Sequence, residues 1–186
     1  MSNNSVEHNR WFWSQYDWST AGEEWSGPWG STRMLWYSAL MPRIAGSLPA
    51  KSILEIAPGS GRFSHFLKDQ CEHYVGVDLS PTCVENCRTR FRDHPHMTFH
   101  VNDGRSLEVV PDESVDFVFS FDSLVHAEAD VLESYAKQLA RKLVVGGTGY
   151  FHFSNFLKIR GTEAATRAVP LVNTHNRAEN LSGDLF

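Results

Sequence analysis

Short apolar runs and amphipathic stretches alternate along most of the chain. Apolar runs predict strands at about 52–56, 73–77, 97–101, 115–121 and 148–154, and helical periodicity predicts helices at about 62–70, 81–92 and 128–143. The first run carries Ile53, Leu54 and Ile56 with no polar face, which is the pattern of a strand buried on both sides of a parallel sheet. Strands alternating with helices predict an α/β, Rossmann-like, doubly wound sheet with helices on both faces. Right-handed crossovers then give the order 3-2-1-4-5, with a ligand crevice where strands one and four diverge. Pro111-Asp112-Glu113-Ser114 reads as a polar turn between the half-units. Ahead of the sheet lie a leader of roughly residues 1–30 and a helix within Ser31–Ala45 expected to break or bend near Pro42.

Polar residues gather where the first three runs end. Strand one opens into a turn containing Gly59 and Gly61, which admit positive φ and leave room for a ligand beside the backbone. A plain strand-to-helix turn would use the same glycines. Seventeen residues beyond Gly61 the run YVGVD ends in Asp78, where a doubly wound unit holds an acid that accepts hydrogen bonds from a ribose diol. Asp78 also precedes Ser80-Pro81, a good cap and first-turn pair for a helix. The third run, MTFHV, ends in Asn102-Asp103-Gly104, a carboxylate beside the same crevice that could accept a hydrogen bond from an exocyclic amine, or simple turn chemistry.

Taken in order, these segments resemble the class I S-adenosylmethionine-dependent methyltransferases over roughly residues 50 to 155. The matching residues are Glu55-Ile56-Ala57-Pro58-Gly59-Ser60-Gly61, then Val77-Asp78-Leu79, then Asn102-Asp103-Gly104. The fourth strand ends at Ser120-Phe121, and KLVVGGTGYFHFS leads into the fifth. The resemblance implies S-adenosylmethionine as cofactor. It places the methionine part over Ala57 to Gly61, the ribose on Asp78 and the adenine against Asp103, with Glu55, Leu79, Asn102, Gly104, Ser120 and Phe121 completing the cofactor set. The pattern has glycine where this chain has Ala57, a departure that matters if position 57 needs positive φ. FSFDSLVHAEADVL and GEEWSGPWGS are similar to a bacterial subgroup acting on hydroxyl groups of carbohydrates or natural products.

Methyl transfer requires alignment, exclusion of water and, for a hydroxyl acceptor, removal of its proton. His126, after strand four, is the candidate base, against the alternative of a histidine packed at the start of the next helix. Asp122 and Asn155 supply only part of a divalent-metal set, so no metal is assigned, and His152 alternates with Phe151 and Phe153 as the polar face of a strand. Two other readings stay open. One is a nicotinamide-dependent oxidoreductase, whose fingerprint Gly59-x-Gly61-x-x-Ser64 lacks its last glycine; the other is a non-catalytic cofactor-binding module.

Composition narrows the partners. With 17 Lys and Arg against 22 Asp and Glu, the formal charge of −5 gives no electrostatic reason to bind nucleic acid or an anionic membrane. No apolar stretch approaches the ~20 residues that span a bilayer. The polar start MSNNSVEHNR has no signal-peptide core, so a cytoplasmic enzyme acting on a small molecule is expected. Cys71, Cys83 and Cys87 have no disulfide-framework spacing and are expected as reduced, packed thiols. All six tryptophans precede the first strand; packing as an N-terminal cap over residues 1–48 is the expectation for most, with Trp25 and Trp29 as lid members beside flanking glycines. The cofactor domain is assigned to 49–155. Residues 156–186 read as a loop and partial helix, too short for the sixth and seventh strands that the family sheet adds, so truncation and self-association through an uncovered fifth strand are expected.

Overall fold

The computed structural model describes residues 4–155. Its centre is a five-stranded parallel sheet in the order β3-β2-β1-β4-β5. The strands are β1 Ala50–Ile56, β2 Cys71–Asp78, β3 Met97–Val101, β4 Val115–Ser120 and β5 Leu143–Phe151. Strand order and crossover pattern are those expected from the sequence. The assignment of residues 156–186 falls outside the described residues.

Period-two alternation divides the core into two layers. Ile53, Tyr74, Phe99, Phe117 and Phe119 point to one face. There they meet Leu35, Trp36, Leu40 and Ile44 of the N-terminal helices, Phe63, Leu67, and Val84 and Cys87 of the helix after β2. Leu54, Ile56, Val77 and Val118 point to the other face, against Val131, Leu132, Tyr135 and Leu139. These last four form the apolar stripe of α6, Ala129–Lys142.

Local chemistry accounts for the element ends. The helix α5, Pro81–Arg90, starts as its sequence predicts: Ser80 accepts a hydrogen bond from the Cys83 amide at 3.4 Å, and Pro81 fills the first turn. The helix after β1 is shorter than the apolar pattern suggests, because the glycine turn runs on to Phe63 and only Ser64–Leu67 (α4) is helical. The 31–45 segment bends without breaking. Thr32–Leu35 (α2) passes through a π-helical turn, Trp36–Leu40, into Met41–Ile44 (α3), where Pro42 sits in a first turn and needs no amide donor. Strand β5 begins five residues before the expected position 148. Gly146, at φ +83°, and a register shift between Val115 and Phe117 let LVVGG join the sheet. The leader, expected as a cap and lid with no assigned element, contains a helix α1, Val6–Gln15, whose N-cap Ser5 accepts from the His8 amide at 3.2 Å, and a 3-10 segment Glu23–Trp29.

Candidate active site

The C-terminal ends of β1, β2 and β4 open on a crevice lined by Ala57, Gly59, Val77, Asp78, Leu79, Cys83, Gly104, Asp122, Ser123, Leu124, His126 and Ala127. Its floor is shaped by backbone. After β1 the chain turns through Ala57, Gly59 and Gly61 at φ +56°, +58° and +82°. Ala57 therefore does hold the left-handed conformation that costs an alanine about 1 kcal/mol and a glycine almost nothing. It is held there by its amide, bonded to the Val77 carbonyl at 2.7 Å, and by its own carbonyl, which accepts from Ser123 Oγ at 2.7 Å.

Asp78 lies across from this turn. Its two carboxylate oxygens accept from the amides of Gly59 at 3.0 Å and Ser80 at 2.8 Å, so one side chain ties the glycine turn to the start of α5. Burial raises its pKa to about 6, and those backbone N–H groups oppose the rise. The Asn102-Asp103-Gly104 turn divides its duties. Gly104 lines the crevice; Asn102 accepts from the Gly104 amide at 3.0 Å and donates to Tyr135 Oη at 3.0 Å. Asp103 is exposed and caps its own turn, accepting from the amides of Arg105 and Ser106. Its partial burial is outweighed by those bonds, and its pKa sits below the usual carboxylate range.

Several residues assigned to the cofactor from sequence stand behind the crevice wall instead. Glu55 is completely buried beneath the turn, accepting from Ser64 Oγ at 2.7 Å and from the Tyr74 hydroxyl. Burial lifts its pKa to about 7, and the nearby Asp78 adds to the rise. Pro58 is buried outside the lining, and Ser60 is held by Asn86 and Arg90 of α5. Gly61 faces the same helix, and a Cβ there would come within 2.5 Å of the Phe91 ring. Ser120 Oγ bonds the Ile56 carbonyl at 2.7 Å and pins β4 to the end of β1. Phe121 points into the opposite layer, stacked on His152 at 4.6 Å. These residues shape the turn and do not line the crevice.

The roof comes from the leader. Val6, Asn9 and Trp13 of α1, with Trp18 and Trp25, line the crevice from above. The Trp18 ring lies on Gly59, 3.1 Å from where a Cβ would sit, and Val6 lies 2.8 Å from the corresponding point on Gly104. Trp25, expected from sequence as a lid member, is among these lining residues. Trp29 is not: it is 45% exposed and absent from the lining, because the 3-10 segment ends by turning it outward. Trp36 is a core residue.

His126 occupies the crevice wall on a 3-10 turn, Leu124–His126. Its ring meets the Trp13 ring at 5.1 Å, and its carbonyl accepts from Asn9 Nδ2 at 2.9 Å. Asp122, at φ +67°, enters the lining while paired with Arg62 at 2.9 Å. Among the described residues no group of three or more His, Cys, Asp or Glu is placed to hold a metal ion. The thiols of Cys83, in the lining, and Cys87, which donates to the Gly59 carbonyl at 3.1 Å, are pushed up by burial and stay protonated. Sequence reasoning missed Asn9, Trp13 and the Arg62 pairing. Only the Ser5 cap and the spacing of Val6, Asn9 and Trp13 along one helical face could have signalled the first two.

Residues 53–147 match the model of a family described as a methyltransferase domain. The chain belongs to this family. Among curated relatives, phosphoethanolamine N-methyltransferase of Triticum aestivum is 28% identical over 119 residues, and phosphoethanolamine N-methyltransferase 1 of Zea mays is 26% identical over 126. These alignments cover 62% and 66% of this chain but 24% and 25% of those proteins, so the chain spans about a quarter of the curated relatives it matches. Among solved structures, a Pyrococcus horikoshii protein superposes with a TM-score of 0.60 at 26% identity, covering 82% of this chain and 68% of that one. DhpI in complex with S-adenosylhomocysteine superposes at 0.59 with 20% identity, covering 84% and 71%, which speaks to the fold alone.

The methyltransferase family uses S-adenosylmethionine, and the crevice of this chain fits that cofactor. Gly59 and Gly104 leave the crevice floor as bare backbone, covered in this structure by the leader's Trp18 ring and Val6, and the buried Asp78 carboxylate borders the same space.

Proposed function

We propose that this methyltransferase domain transfers a methyl group from S-adenosylmethionine to a small-molecule acceptor, with His126 as the base for an acceptor hydroxyl. The observation that carries the reading is the position of His126, in the wall of the same crevice that Gly59, Asp78 and Gly104 floor. In this reading Ala57 and Gly59 lie against the methionine part of the cofactor, Asp78 accepts from the ribose hydroxyls, and Leu79 and Gly104 bound the adenine. Bound there, the cofactor supplies a methyl group on an electrophilic sulfonium. His126 takes the acceptor proton as the new bond forms, and the indoles of Trp13, Trp18 and Trp25 exclude water.

An amine acceptor is the second reading. It is favoured by the phosphoethanolamine N-methyltransferase relatives and by the indole faces, which attract ammonium groups.

Calorimetric titration with S-adenosylhomocysteine, run beside NADH and repeated on Asp78→Ala, tests the cofactor site. Binding that the substitution abolishes, with none for NADH, is expected; a folded wild-type chain that binds neither would remove the proposal. A panel of hydroxyl and amine acceptors, phosphoethanolamine included, with His126→Ala alongside, then separates the two acceptor classes.

A further inference from the structure

Arg62 follows the glycine turn and is 5% exposed, a buried cation that neither cofactor binding nor proton transfer requires. Its guanidinium reaches two ways. One nitrogen donates to Ser26 Oγ of the leader at 3.0 Å, and another to Asp122 on the crevice wall at 2.9 Å. Between them the group lies over the rings of Phe63, at 4.5 Å, and Trp25, at 5.5 Å. Planar stacking combined with forked donation suits arginine and not lysine. Trp25 packs edge-on against Trp18 at 5.4 Å, and Trp18 covers Gly59. A continuous chain of contacts therefore runs from the end of β4, through Arg62, into the roof over the cofactor turn.

We propose that Arg62 is a positioning residue that latches the leader over the cofactor crevice, holding Ser26 and Trp25 with one side of its guanidinium and Asp122 with the other. Closing the crevice and fixing Asp122 in its wall become one event, and cofactor exchange requires the Ser26 arm to release. The inference rests on the crevice being the cofactor site.

The test is stopped-flow tryptophan fluorescence with S-adenosylhomocysteine, read as separate association and dissociation rates well below the melting temperature. Ser26→Ala removes the leader arm and leaves the Arg62–Asp122 pair in place. Arg62→Lys keeps the charge and loses the fork. Thr32→Val removes the other hydroxyl partner of Ser26, which lies at 2.7 Å, and leaves the Arg62 bond intact. A latch gates passage in both directions. Both rates should therefore rise about tenfold or more in Ser26→Ala, the scale of one hydrogen bond to a charged group, with a smaller rise in Arg62→Lys and rates within about twofold of wild type in Thr32→Val. A residue that only stabilises the fold would lower the melting temperature, or raise dissociation alone. Unchanged rates in folded Ser26→Ala, or equal acceleration by Thr32→Val, overturn the latch while wild-type binding that depends on Asp78 still stands. Wild-type binding insensitive to Asp78→Ala overturns the crevice reading and the latch with it.

Discussion

The crevice has a floor and a roof built on different principles. In the floor, Gly59 and Gly104 bring backbone to the surface at positive φ, and Asp78 is fixed by two main-chain amides. In the roof, side chains do the work: Trp13, Trp18 and Trp25 pack on one another with ring centroids 5.4 to 6.0 Å apart, and the leader's side chains bond the body through Asn9, Arg10, Ser14 and the Ser26–Arg62 pair. A floor of this kind is rigid before any ligand arrives. A roof of packed rings with few hydrogen bonds to the sheet can lift as a unit. Binding strength is therefore expected to depend on the floor, and exchange rate on the roof.

The sharpest way to break that comparison is at Asp78. On the proposed ribose role, Asp78→Ala should weaken S-adenosylhomocysteine at least a hundredfold, since the buried carboxylate proposed to accept from the diol is replaced by a group that accepts nothing. The pH dependence carries the same information. If Asp78 holds the ribose, the ribose hydroxyls donate to the ionised carboxylate, so the bound form prefers Asp78 deprotonated and lowers its pKa below the free protein's value of about 6. Affinity should then fall as pH drops through about 6, and calorimetry on Asp78→Asn should show a weak, flat profile. A wild-type profile just as flat would remove Asp78 from the site.

Glu55 tests what supports the floor from beneath. Its pKa rises on folding from the ordinary 4.5 to about 7, so between those values the folded protein binds the extra proton. The contribution to stability is full below about pH 4.5 and is lost as pH rises through about 7, on the order of 3 kcal/mol across the window. Chemical denaturation of Glu55→Gln should show a much flatter dependence there, leaving the smaller slope of the same sign from Asp78. Glu55→Ala should be destabilised at every pH, because it removes the acceptor shared by the Tyr74 and Ser64 hydroxyls, leaving them only each other beside a cavity. If Glu55→Gln keeps the wild-type slope, the carboxyl does not titrate in that range.

How much of this was legible in the sequence divides along the same line. Strand order, the glycine turn, Asp78 and the Ser80 cap all follow from local signals: apolar runs, glycines, and polar residues at strand ends. Glu55, Ser120 and Phe121 were assigned to the ligand because they adjoin those signals, but strand alternation sends Glu55 and Phe121 to the opposite face, and Ser120 spends its hydroxyl on the Ile56 carbonyl. The roof was legible only as tryptophan content. Which indole faces the crevice depends on how α1 and the 3-10 segment dock, a tertiary outcome with no local signature. Trp29 was chosen for its glycines and points outward, while Trp13 was passed over and lies against His126.

Ala57 is the one place where the floor departs from the pattern its backbone requires, and it gives the smallest and most discriminating test. At φ +56° the alanine methyl crowds its own carbonyl, a cost of about 1 kcal/mol that glycine avoids. Against this, glycine loses more backbone entropy on folding, by roughly 0.5 to 1 kcal/mol. Ala57→Gly should therefore leave stability unchanged or improve it slightly, a melting temperature between the wild-type value and about 3 °C above it by scanning calorimetry. Its effect on the roof is the informative part. If floor and roof are separable, S-adenosylhomocysteine affinity shifts by no more than a few fold and the exchange rates set by Arg62 and Ser26 stay where they were. A melting temperature lowered by several degrees would mean that the methyl group is itself a contact the crevice needs, packed against the apolar layer beneath, to which Val77 and Leu54 belong. The floor would then be held by side chains as much as by backbone, and the distinction from the roof would fail at its weakest point.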